Sequence, residues 1–412
     1  MEHNSITHCR VCNSKIHSFM SFGKMPIANG FLKKDDIKAE YFYELAPAFC
    51  TNCFLFQLVE QPSAEMMFHK NYAFYSSTSM YMKSHFKEFA KQVIKNNLSA
   101  KENPFVVELG SNDGIMLENI KNAGIRHLGI EPSKNVADVA RSNNINTLSE
   151  FFDTKLADRI IDEYGHADVV LAANVMCHIA NINNIARGIS HLLKHDGVLI
   201  FEDPYLGDMI EKTSYDQIYD EHVFIFSAKS VDFIFSQYGL ELIDVTPQIT
   251  HGGSMRYVLG HKGKYPISNN VKNLIAKEEN QGLDKIKIYF QFKKNCEASR
   301  NTLKELLQKL QNTNKRVVGY GATSKSTTIT NYCAIGPDLV EYISDTTPIK
   351  HGKLSPGTHI QVKPYENFVK NPPDFALLFA WNHAAEIFEK EKKFKEDGGQ
   401  WITYIPKVGI IH

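Results

Sequence analysis

"FVVELGSNDGIMLENI" runs from Phe105 to Ile120. It opens with an apolar run, turns at Gly110 and Gly114, and resumes with apolar residues at helical spacing. That pattern reads as strand, glycine turn, helix. Working outward, "IRHLGIEPSKNVADVARSNNI" (125–145) repeats strand then helix, "HADVVLAANVMCHI" (166–179) is a buried strand, and "HDGVLIFEDP" (195–204) is another. Strands alternating with helices imply a parallel sheet covered on both faces. A helical spacing then runs from Leu283 to about Leu310. The βα rhythm restarts in "KRVVGYGATSKSTTITNYC" (315–333), "LVEYISDTT" (339–347), "DFALLFAWNHAAEIF" (374–388) and "WITYIP" (401–406). The expected fold class is therefore α/β, in three parts. A small cysteine-bearing module with its connector spans 1–75, a central Rossmann-like domain spans 76–270, and a linker helix with a C-terminal Rossmann-like α/β domain spans 271–412.

Composition excludes several classes. Apolar residues make up 43% of the 412-residue chain and charged residues 22%, a soluble globular balance. With 46 basic and 46 acidic residues, no global field draws nucleic acid or an anionic membrane. No apolar run approaches the roughly 20 residues that span a bilayer. The N-terminus "MEHNSITHCRVCNSK" lacks the apolar core of a signal peptide. Seven cysteines, an odd number without an export signal, point to reduced thiols in the cytoplasm.

Four of those cysteines form two C-x-x-C pairs, Cys9 with Cys12 and Cys50 with Cys53. Two such pairs can grip one tetrahedral zinc, and four thiolates leave the metal no open position for catalysis. The expected ion is therefore structural. Disulfides conflict with a cytoplasmic location, and no thioredoxin-like context surrounds either pair. Cys177, Cys296 and Cys333 stand alone and read as core or surface thiols.

The central glycine turn has the spacing E-x-G-x-x-x-G rather than the dinucleotide G-x-G-x-x-G. It matches the first motif of S-adenosylmethionine-dependent methyltransferases. Glu108, Gly110, Asn112, Asp113 and Gly114 supply the turn, and Glu131 ends the second strand, where an acid accepts hydrogen bonds from a ribose diol. Asn174 and His178 fall at the carboxyl edge of the third long strand. An ordinary βα turn is the bland alternative, and the two acids at matching strand ends weigh against it.

The segments "ELGSNDG", "EPS", "ANVMCHI", "YDQIYDEH", "THGGSMRYV" and "GYGATSKS…SDTTPIKHGKLSPGTHI" together resemble the sugar-nucleotide C-methyltransferases that act on 4-keto deoxysugars. The resemblance covers nearly the whole chain in one order, and it includes the paired cysteines as an N-terminal zinc-binding domain. It implies S-adenosylmethionine as cofactor and a nucleotide-diphosphate 4-keto-6-deoxy sugar as substrate, with C3 the favoured carbon. The reaction forms a carbon–carbon bond from a carbon acid, so it needs a base of near-neutral pKa and a donor near the enolate oxygen. "YDEH" offers both types together with a carboxylate that can orient an imidazole. By resemblance, Tyr219, Glu221 and His222 form the active-site cluster with His222 as base, His178 is a second active-site histidine, and Tyr72 and Tyr75 belong to a connector that closes over the sugar. Asp220 stands where the family commonly has histidine. Asp216 and Asp220 read as solvent-facing or capping residues.

On the substrate side, His251, Ser254 and Arg256 lie in "THGGSMRYV". Arg256 reads equally as a phosphate partner or a surface arginine. "GYGATSKST" nearly fits both a P-loop and G-x-G-x-x-G, but Ser324 replaces the required glycine in each. In the family context it is a phosphate-binding loop with Lys325 near the diphosphate and Asp345 at the next strand end. Trp381, Asn382 and His383 end a further strand. Rival readings are a sugar O-methyltransferase, a nicotinamide oxidoreductase using the C-terminal loop, and a zinc-ribbon nucleic-acid binder. The last lacks the basic stripe such modules carry.

Overall fold

The computed structural model describes residues 5–67 and 76–411. Two open sheets dominate it. The central sheet has seven strands in the order Leu240–Gln248, Ser254–His261, Leu193–Pro204, Ala167–Ala173, Phe105–Leu109, Arg126–Ile130 and Thr147–Leu148. Its neighbours are parallel except around Ser254–His261, which runs against both partners. The chain starts in the middle at Phe105–Leu109, winds to one edge, then crosses to Ala167–Ala173 and fills the other side. The direction of winding reverses between those two central strands, and such a reversal opens a crevice at their carboxyl ends. Buried apolar faces explain why both strands read as continuous hydrophobic runs.

The second sheet repeats the design with six strands, Val362–Pro364, Ile343–Asp345, Val317–Tyr320, Phe375–Leu378, Gln400–Thr403 and Gly409–Ile411. Here the reversal lies between Val317–Tyr320 and Phe375–Leu378, with only the last strand antiparallel. The glycine loop after Tyr320 and the segment Trp381–His383 therefore share one crevice.

The cysteine module builds a four-stranded sheet, His17–Ser18, Pro47–Phe49, Phe56–Leu58 and Phe224–Ile225. Its last strand comes from the central domain: Phe224 pairs with Gln57 and Ile225 with Phe56. The linker helix, Ile286–Asn312, also joins this module. Tyr289 stacks on Phe49 at 4.2 Å and meets Phe19 at 5.3 Å, with its hydroxyl donating to Leu283 O at 2.6 Å. Aromatic pairs at such distances add attraction beyond the area they bury. Cys177, Cys296 and Cys333 are all buried in the core. Among the described residues no helix is long and apolar enough to cross a membrane.

Candidate active site

The loop ahead of the strand Phe224–Ile225 carries the sequence-predicted cluster. A 3-10 turn at Tyr215–Gln217 aims the Gln217 carbonyl at the ring of His222, and His222 Nδ1 donates to it at 2.7 Å. A carbonyl only accepts, so Nδ1 holds the proton and Nε2 is the free lone pair. Tyr219 donates its hydroxyl to that Nε2 at 2.9 Å. The His178 ring stacks beside His222 at 5.4 Å. Burial, and then neighbouring His178, hold the His222 pKa well below the ordinary histidine value. Desolvation lowers His178 to about 4. Both rings are therefore neutral near pH 7, and His222 presents an unprotonated Nε2 that is a weaker base than the near-neutral one expected from sequence.

Several side chains depart from the sequence reading. The orienting acceptor at Nδ1 was expected to be a carboxylate, and the Gln217 backbone takes that place. Glu221 instead accepts from Asn29 Nδ2 at 2.6 Å. Asp216 and Asp220 do not face solvent, since each is 0% exposed. Asp220 accepts from Ala28 N at 3.0 Å, and burial with adjacent Glu221 pushes it up to about 8. Asp216 accepts from Trp381 Nε1 at 2.6 Å and from Tyr404 OH at 2.9 Å. Both acids were misread because the loop that holds them is covered by two other parts of the chain. Arg256 is not a surface residue. It is 7% exposed and forks onto Glu202, with Nη2 at 2.9 Å and Nε at 3.2 Å. Tyr72 and Tyr75 lie outside the described residues.

Glu202 also accepts from Thr250 Oγ1 at 2.8 Å, and His85 Nε2 sits 2.9 Å from it. Arg256→Leu leaves this buried carboxylate short of its guanidinium, an unpairing that costs on the order of 3–5 kcal/mol. Chemical denaturation with urea should show that loss. The next residue, Asp203, accepts from Val175 N and Cys177 N, both at 3.1 Å, and so shapes the turn that carries Asn174 and His178. Neither acid was singled out from sequence, although "FEDP" at a strand end was the signal.

At the central crevice, Gly110 has φ +62°, and a Cβ there would come within 2.3 Å of Val175 Cγ2. Glycine is required by that approach. Glu131 bridges the turn, accepting from Asn112 N at 3.0 Å and Ser133 N at 2.7 Å. Glu108 Oε2, Asp113 Oδ1 and Asn174 Oδ1 are buried acceptors without a partner among the described residues. Burial, then Asp113 and Glu131, push Glu108 well above the usual carboxylate range. Unsatisfied acceptors beside crowded carboxyls suit a cationic, donor-rich ligand. S-adenosylmethionine, with its sulfonium, ammonium and ribose hydroxyls, meets that demand.

The second crevice opens toward the first. Lys325 Nζ donates to His251 O and to Asn382 Oδ1, each at 3.2 Å, and lies 4.7 Å over the Trp381 ring. Burial lowers its pKa, opposed by Asp216. His251 has φ +54°, and desolvation, then Lys325, hold it near 3. Ser254 Oγ donates to Thr250 O at 3.0 Å. Asp345 is occupied by Ala322 N and Thr347 N, both at 2.7 Å. Beside this group a cleft of about 400 Å³ is lined by Asp208, Lys212, Gly252, Gly253, Trp381 and Asn382 among others.

In the N-terminal module, the sulfurs of Cys9, Cys12, Cys50 and Cys53 all lie within 4.8 Å of one another. Cys9 and Cys53 approach to 3.4 Å, and Cys12 and Cys50 to 3.5 Å. A tetrahedral zinc with Zn–S bonds near 2.3 Å needs sulfurs about 3.8 Å apart. Gln57 Nε2 and Val11 N point at Cys9 Sγ, at 3.1 and 3.4 Å, and would support thiolate charge. The four residues fit the ion.

Three family models match the chain in sequence: a zinc binding domain over 9–68, a methyltransferase domain over 82–245 and a C-methyltransferase C-terminal domain over 249–406. The C-methyltransferase NovU of Streptomyces niveus is 31% identical over 409 residues, covering 98% of this chain and 97% of its own. The chain belongs to the C-methyltransferase family. As a C-methyltransferase it uses S-adenosylmethionine and carries a zinc-binding module. Solved structures resemble part of the fold more distantly. The PH0226 protein of Pyrococcus horikoshii OT3 is 14% identical over 46% of this chain and 95% of its own, with a TM-score of 0.37. Magnesium protoporphyrin IX methyltransferase of Synechocystis PCC 6803 is 14% identical over 44% of this chain and 82% of its own, with a TM-score of 0.33.

Proposed function

We propose that this C-methyltransferase acts on a nucleotide-diphosphate 4-keto-6-deoxy sugar, methylating the carbon beside the ketone, with C3 favoured over C5. One observation carries the reading: His222 has its Nε2 lone pair directed at Tyr219 OH and its Nδ1 proton locked on Gln217 O. That pair supplies the base and the acid that enolate chemistry needs at one point. Nε2 accepts the proton alpha to the ketone. Tyr219 OH, freed from Nε2 as substrate enters, donates to the developing enolate oxygen. Glu221 and His178 line the same centre. S-adenosylmethionine, held by Glu108, Gly110, Asn112, Asp113, Gly114, Glu131 and Asn174, supplies the electrophilic methyl group when bound. The diphosphate faces Lys325 and the turn of His251 and Ser254 in the second crevice, while Asp345 shapes the glycine loop. Arg256, spent on Glu202, braces that turn rather than touching phosphate.

Mass spectrometry tests the reading. A pool of nucleotide-linked 4-keto-6-deoxy sugars, incubated with enzyme and S-adenosylmethionine, should yield a product one CH2 heavier with its nucleotide retained. Solvent deuterium should enter the substrate at the methylated carbon. A bound cofactor with no product from any sugar in the pool would contradict the substrate class. A product without deuterium exchange would favour a hydroxyl acceptor.

The base also has a pH signature. Because burial holds His222 below the ordinary value of about 6.5, it stays unprotonated at mildly acidic pH. The acid limb of kcat/KM should lie on the acid side of the ordinary histidine value, in profiles taken from pH 5 to 8. A limb at the ordinary histidine value would mean that the base is solvated or is another group.

A further inference from the structure

Two side chains of the zinc module reach the catalytic loop. Gln61 Nε2 donates to His178 O and to Asp220 O, both at 3.2 Å. One amide nitrogen thereby ties the turn that carries His178 to the loop that carries His222. Those turns have no covalent connection nearby, and their two rings sit stacked at 5.4 Å. Asn29 Nδ2 donates to Glu221 Oε1 at 2.6 Å. The residue before it, Ala28, gives its N–H to Asp220 at 3.0 Å and takes the Thr327 hydroxyl at 2.8 Å on its carbonyl. Thr328, from the same helix as Lys325, donates to Ile218 O at 3.0 Å. The loop around Ala28 is thus wedged between the catalytic loop and the C-terminal glycine-loop helix.

We propose that the zinc module completes the catalytic centre by supplying two positioning residues, Gln61 and Asn29. Gln61 sets the spacing of the His178 and His222 turns. Asn29 fixes the Glu221 carboxylate, and through Ala28 and Thr327 it registers the helix that bears Lys325. The module then does more than stabilise the fold, since it determines where the base sits. This inference rests on the sugar C-methylation reading for its activity assay, and on geometry alone for its second readout.

Gln61→Leu keeps the size of the side chain and removes both hydrogen bonds. It should lower kcat by about 10²-fold, the scale of a misplacement near 1 Å, with zinc content and S-adenosylmethionine affinity unchanged. Asn29→Asp sets a further carboxylate against Glu221, which already faces Asp220, and such crowded acids hold protons rather than ionise together. Its kcat should fall most at pH 8 and recover toward wild type at pH 6, a dependence that a purely structural role would not produce. Loss of zinc or cofactor binding together with kcat, without that recovery, would overturn the inference. So would kcat within twofold of wild type in both variants. Wild-type enzyme in the same sugar pool separates the two ideas, because its failure to turn over sinks the substrate reading alone. Histidine-labelled NMR without any substrate then decides: Gln61→Leu should move the His178 and His222 ring signals, and unmoved signals would sink the positioning role.

Discussion

Replacing His222 by alanine should cut methyl transfer by orders of magnitude while S-adenosylmethionine still binds. The imidazole is held on both sides, by Gln217 O at 2.7 Å and Tyr219 OH at 2.9 Å, so it is oriented before substrate arrives. Positioned general bases typically contribute 10²–10⁴-fold, and kcat/KM should fall by about that much. The acceptors proposed for the cofactor, Glu108, Asp113 and Asn174, belong to other turns, so calorimetric titration should give a cofactor affinity within a few-fold of wild type. Deuterium wash-in should vanish with turnover, because both need the enolate that the base generates. Turnover within tenfold of wild type would remove His222 from that role and leave Tyr219 or His178 to fill it.

Removing zinc should be the most damaging change to stability. Four sulfurs within 4.8 Å of one another tie together the two turns, Cys9–Cys12 and Cys50–Cys53, around which the module's buried apolar residues such as Val11, Phe49 and Leu55 pack. Structural zinc is worth about 10–16 kcal/mol in small zinc-dependent folds, comparable with a typical domain's whole stability of about 5–15 kcal/mol. Cys53→Ser, or a strong chelator, should therefore melt residues 5–67 at room temperature and release one equivalent of metal. Because Gln61 and Asn29 lie in that module, activity should be lost before the two Rossmann-like sheets unfold. Circular dichroism should record a small early transition, followed by a larger one at higher temperature. A chelated chain with a single unchanged transition would contradict the assignment of the four cysteines.

How much was legible in the sequence follows the range of the interactions. The glycine turn of the central domain was readable because its determinants are local: Glu108, Gly110 and Gly114 lie within one strand–turn–helix unit. The cysteine pairs were readable because the chemistry of four thiolates is specific at any separation. Asp216 and Asp220 were not. Their partners are Trp381 and Tyr404 for one and Ala28 for the other, all remote in sequence, so an acid that looked solvated is sealed by other parts of the chain. The burial of Arg256 was hidden for the same reason, since its antiparallel partner strand brings Glu202 beneath it. The orienter of His222 is a backbone carbonyl, and side-chain identity carries no trace of that.

The cross-domain strand has a consequence for the order of synthesis. The module's sheet stays three-stranded until Phe224 and Ile225 leave the ribosome. Chains grow at roughly 5–20 residues per second, so the edge at Phe56–Leu58 stands open for about 10–30 s. An unpaired apolar edge is a template for pairing with another chain. Bound zinc holding the sheet's turns through that interval would protect the nascent chain from aggregation, and metal-starved cells should accumulate this protein in the insoluble fraction.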